Sequence, residues 1–92
     1  MNEQPLPLTP YEPVRCCLRL QGRITAGWSD WLAGAETTFS GEGPLTITTL
    51  CGTVRDQAGL FGLLSFVRDL GVVLLAVEII RIPANNRGDC ND

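Results

Sequence analysis

From residue 14 to residue 24 apolar and polar side chains alternate. Val14, Cys16, Leu18, Leu20 and Ile24 fall on one side, and Arg15, Cys17, Arg19, Gln21 and Arg23 on the other. A period of two with one apolar face predicts a half-buried strand. The rhythm changes over residues 25–34, where Trp28, Trp31 and Leu32 recur at i, i+3 and i+4 and predict a short helix closed by Gly34. Residues 36–40 and 45–54 are rich in Thr and β-branched side chains, and Gly41-Glu42-Gly43-Pro44 joins them as a hairpin. Asp56 is placed to cap a second helix that runs to Leu70 and stops at Gly71, with Leu60, Leu63, Leu64, Val67 and Leu70 in one stripe. Residues 72–82 are Val, Leu and Ile broken by Ala76, Glu78 and Arg81, a final strand apolar on both faces. The order β-α-β-β-α-β predicts an α+β domain of the ferredoxin-like type, an antiparallel sheet with two helices on one face.

The two ends read differently. Residues 1–13 carry Pro5, Pro7, Pro10 and Pro13 among polar residues, which predicts a disordered leader, and residues 83–92 read as a polar, disordered tail. A single domain over 14–82 remains. At that size one hydrophobic core is marginal unless another chain covers exposed apolar surface.

Composition narrows the chemistry. The 92 residues include no His, and all seven cations are Arg. Catalysis built on imidazole, Schiff-base chemistry at Lys and the Lys-containing phosphate loop are therefore excluded. A net charge of −3 and a pI near 4.7 argue against nucleic acid as a partner. The apolar stretch 58–80 is long enough to span a membrane, but Arg68 and Asp69 fall near its centre, so no membrane is expected. Cys16, Cys17, Cys51 and Cys90 follow no recognisable secretory signal, so reduced thiols in a cytoplasmic protein are expected. Adjacent Cys16 and Cys17 point to opposite faces of a strand and do not suit one metal ion, and no cofactor is expected. Cys51, near the end of its strand, is placed to approach a first-strand cysteine across the sheet.

One face carries the strongest asymmetry. Arg15, Arg19 and Arg23 stand at steps of four along the first strand and point the same way. The last strand is expected beside it, contributing Leu74, Ala76, Glu78, Ile80 and Ile82 to that open face, with Glu78 in reach of Arg19 or a neighbouring Arg. Three readings follow: a solvated ion-paired face, a dimer interface, or a site for an anionic ligand. Trp28 and Trp31 read either as core filling or as anchors for a partner. The carboxylates of Asp30, Glu36, Asp56, Asp69 and Glu78 show no spacing that pairs two of them.

The segments Leu20-Gln21-Gly22-Arg23, Trp28-Ser29-Asp30-Trp31, Leu50-Cys51-Gly52, Asp56-Gln57-Ala58-Gly59-Leu60 and Val67-Arg68-Asp69-Leu70-Gly71 resemble a group of short uncharacterised bacterial proteins. Cys51 stands where such proteins more usually carry Thr. The resemblance implies a compact cytoplasmic protein and transfers no catalytic residue. The sequence thus points to a non-enzymatic interaction module, a homodimer formed through the open sheet face or an edge strand. The alternative is a sensor that holds an anionic small molecule on Arg15, Arg19 and Arg23.

Overall fold

The computed structural model describes residues 7–82; the expected tail and the first six residues of the expected leader lie outside the described residues. Four strands, β1 (Val14–Gln21), β2 (Ala33–Ser40), β3 (Ile47–Val54) and β4 (Leu74–Arg81), form one sheet in the order β2-β3-β1-β4. Every neighbouring pair is antiparallel. Among the described residues a single α-helix, α1 (Gln57–Leu70), links β3 to β4 and steps over β1. The connection from β1 to β2 steps over β3 in the same way.

The two-helix ferredoxin-like sandwich is therefore not what forms. The helix expected over 25–34 shrinks to one 3-10 turn, Trp28–Asp30. Only six residues separate Gly27 from Gly34, the turn has no side-chain cap, and so short a segment cannot repay helix nucleation. The strand propensity of Thr37, Thr38 and Phe39 extends β2 back to Ala33, which pairs with Thr53, so Gly34 lies inside a strand rather than closing a helix.

Other expectations hold in detail. Asp56 caps α1 by accepting a hydrogen bond from the Gly59 N–H at 2.8 Å, and the helix ends in a left-handed Gly71. The start of α1 is also tied to residues before the sheet, because the Gln57 N–H donates to the Pro10 carbonyl at 2.8 Å.

The core lies between α1 and one face of β1 and β3. Cys16, Leu18, Leu20, Leu50, Val54 and Leu63 are fully enclosed, and Val67 and Leu32 nearly so. Where a second helix was expected, the β1–β2 connection supplies aromatic rings. Phe66 of α1 stacks on Trp31 with centroids 5.4 Å apart and meets Trp28 edge to face at 5.6 Å. The connection needs small neighbours to come this close. A Cβ on Gly62 of α1 would meet the Trp31 ring at 2.9 Å, and one on Gly52 of β3 would meet Leu32 Cβ at 2.8 Å and the Ala33 carbonyl oxygen at 3.1 Å.

Leu63→Ala removes a fully buried side chain at the centre of this contact. It is expected to cost about 2 to 5 kcal/mol in urea unfolding.

Candidate functional site

The sheet face away from α1 is formed by alternate residues whose register is fixed on both sides of β1. Arg15 stands opposite Thr53 and Ile80, Cys17 opposite Cys51 and Glu78, and Arg19 opposite Thr49 and Ala76. Glu36 of β2 continues the row beyond Cys51. Opposed residues share a face, so Arg15, Cys17, Arg19, Cys51, Glu36, Glu78 and Ile80 belong to one surface.

The expected Arg stripe is only partly assembled. β1 ends at Gln21, and Gly22 takes φ 97°, a left-handed conformation open to a residue without a Cβ. The turn carries Arg23 away from the open face, and its guanidinium lies 4.0 Å from the centroid of Phe39. Phe39 pairs with buried Thr48, so this cation–π contact belongs to the opposite face. The Gly22 turn is secured by Thr48, whose hydroxyl donates to the Gly22 carbonyl at 2.6 Å and accepts from the Ile24 N–H at 2.9 Å. Arg15 is paired with Glu36 at 3.8 Å rather than with Glu78, and both side chains are well exposed, so the pair adds little stability.

At the centre of the face Cys17 and Cys51 form a disulfide. Their Cα atoms are 4.1 Å apart, the close spacing of directly opposed antiparallel residues that exchange no hydrogen bonds. This corrects the expectation of reduced thiols at these two positions. Proximity across the sheet was foreseeable from two strands each carrying a Cys; the bond depends on a register that no sequence pattern fixes. Cys16, one residue away, points into the core as a free thiol, and burial pushes its pKa above the ordinary 9.0. Cys90 lies outside the described residues. Among the described residues no group of three or more His, Cys, Asp or Glu is placed to hold a metal ion.

Trp28 is almost wholly enclosed and Trp31 is half-buried against Gly62 and Phe66. Trp28 thus offers no outward ring to a partner. Beside this pair, an open groove of about 780 Å³ is lined by Ser29, Asp30, Trp31, Thr53, Arg55 and Asp56. It brings Asp30 near Asp56, a juxtaposition not visible in the spacing, but Asp56 Oδ1 is engaged in capping α1.

The second feature is β4. Val77 and Ile79 lie opposite Leu18 and Cys16 on the helix side, as expected, yet they remain 40% and 37% exposed because α1 does not cover this strand. On the open face Ile80 is 39% exposed, and Val73, Leu74 and Leu75 around the start of the strand are exposed as well. A register shift at Arg19/Leu20 places Leu74 opposite core-facing Leu20, so Leu74 lies on the helix side and not on the open face expected for it. β4 pairs with β1 along one side, and its other side is the edge of the sheet. Among the described residues no helix is long and apolar enough to cross a membrane.

The chain belongs to a family defined as a domain of unknown function, DUF8691, which matches residues 15–78. That span takes in β1 from its second residue, all of β2, β3 and α1, and β4 as far as Glu78, and with them Cys17 and Cys51. Comparison with curated proteins and with solved structures finds no match.

Two outcomes follow from the cysteines. Replacing Cys17 and Cys51 together by Ser opens a loop with a sequence separation of 34 residues, and in the chain-entropy account is expected to cost about 4 kcal/mol in thermal or urea unfolding. For Cys16 the folded state favours the neutral thiol, so its contribution is complete below the unfolded-state value of 9.0 and is lost as pH rises beyond it. Urea unfolding on either side of pH 9 is expected to show this decline, and Cys16→Ala to flatten it.

Proposed function

We propose that this member of a family of unknown function is a non-enzymatic interaction module that self-associates through the edge of β4. The supporting observation is that β4, eight residues long, exposes apolar side chains on both faces as well as one edge of backbone N–H and C=O groups. Natural sheet edges are usually blunted by Lys, Pro, bulges or a covering element. Along β4 the only charges are Glu78 and the terminal Arg81, and α1 leaves the strand bare.

A second copy of the same strand fits both needs. In an antiparallel β4–β4 pair about a two-fold axis, side-chain direction and outward backbone groups both alternate with period two. Only residues of equal parity can then stand opposite one another, so the axis is perpendicular to the sheet and both helices lie on the same side. The result is one continuous eight-stranded sheet. An axis at Val77 sets that residue against its own copy on the helix side, whereas a register that sets Glu78 against Glu78 is disfavoured by like-charge repulsion.

Size-exclusion chromatography with light scattering is expected to give about 20 kDa, twice the 10.0 kDa chain. Val77→Lys and Ile80→Glu lie on opposite faces of β4, and edge pairing predicts that each shifts the population toward monomer. A response to Ile80→Glu alone moves the interface to the open face. A wild-type monomer at high micromolar concentration removes the reading.

A further inference from the structure

We infer that the Cys17–Cys51 disulfide is a thiol–disulfide exchange site that a dithiol reduces while the protein stays folded. This goes beyond self-association and does not rest on it.

Four observations carry the inference. The bond lies on the face opposite α1, and both of its residues are half-buried rather than enclosed, so an incoming thiolate has access without opening the core. Exposed disulfides are the more readily reduced ones. The strands it links are independently paired from Val14↔Val54 to Gln21↔Ile47, so cleavage leaves the ladder in place. Arg15 and Arg19 flank Cys17 two residues away on the same face, where positive charge favours a thiolate. The facing carboxylates are Glu78, opposite Cys17, and Glu36, opposite Cys51 and held at 3.8 Å by Arg15. Each sulfur thus has one Glu in register, and Cys17 has Arg15 and Arg19 two residues away on its own strand.

The chemistry balances with a dithiol as the two-electron donor. One of its thiolates attacks Cys51 Sγ; a mixed disulfide forms there, the Cys17–Cys51 bond breaks, and the electron pair leaves on Cys17 as a thiolate beside Arg15 and Arg19. The second dithiol sulfur, as a thiolate, then attacks its own partner in the mixed disulfide, which frees Cys51 and releases the oxidised, cyclic dithiol. Two electrons have passed to the protein; the two protons that the dithiol gave up in forming its thiolates pass to solvent, from which Cys17 and Cys51 take up protons as their own acidities dictate. The exchange is stoichiometric, a change of state and not a turnover.

Cys16 supplies an internal control, because it is fully enclosed one residue from Cys17 and is reached only when the sheet opens. Oxidised full-length protein is treated with dithiothreitol in native buffer, quenched with N-ethylmaleimide, and mapped by peptide mass spectrometry. New labels are expected on Cys17 and Cys51 with Cys16 unlabelled, and far-UV circular dichroism unchanged. Labelling of Cys16 at the same rate, no new label without denaturant, or labels on Cys17 and Cys51 before any reductant overturns the inference. Replacing Arg15 and Arg19 by Gln is expected to slow reduction roughly threefold and replacing both by Lys to restore it, whereas equal rates in all three proteins remove the arginines' part. Should the Gln variant fail to fold, the wild-type labelling pattern still decides.

Discussion

One helix must shield a four-stranded sheet, and the rest of the structure follows from that shortage. A helix is about 10 to 12 Å across with its side chains, whereas neighbouring strands lie about 4.8 Å apart, so α1 can cover roughly two of them. It settles over β1 and β3, where Leu63 and Val67 meet Leu18, Leu50 and Val54 in a closed core. The strands on either side need another solution. On the β2 side the connection carrying Trp28, Trp31 and Leu32 folds in beside Phe66 and supplies by aromatic bulk what a second helix would have supplied by length. On the β4 side nothing among the described residues plays that part.

Glycines make the aromatic solution possible. Gly62 lets Trp31 lie against α1, and Gly52 lets the chain at Leu32 and Ala33 pass close over β3. The absence of a side chain at these two positions sets how close the connection lies to the sheet, and hence how well it seals the core without being helical. Gly22 acts differently: by turning the chain after β1 it sends Arg23 to Phe39 and breaks the row of three arginines.

The two surfaces that suggest a role arise from the same geometry. β4 is apolar like a buried strand, but among the described residues it is positioned as an uncovered edge, a conflict that the proposed pairing with a second chain would relieve. Among the described residues no layer shields the open face, so its disulfide is structurally a staple and chemically within reach. Because β1 lies between β3 and β4, Cys17 stands in register with both Cys51 and Glu78, and the redox pair is separated from the proposed dimer edge by a single strand.

The strand of alternating residues after Val14, the hairpin after Glu36, the cap at Asp56, the stop at Gly71 and the two-faced apolar character of β4 were all legible in the sequence. Each rests on a local rule of period, turn chemistry or capping, satisfied within a few neighbouring residues. The helix expected around Trp28 was not, because i, i+3, i+4 spacing over so few residues fits a compact aromatic turn as well as a helix, and only packing against Phe66 and Gly62 chooses between them. The disulfide, the departure of Arg23 and the exposure of Val77 and Ile79 likewise depend on strand register and on which strands one helix can reach. Apart from the segment around Trp28, the sequence by itself determined which segments are strand, turn and helix; the tertiary structure decided which of their faces are covered, since coverage is set by the width of the elements and the order of the sheet.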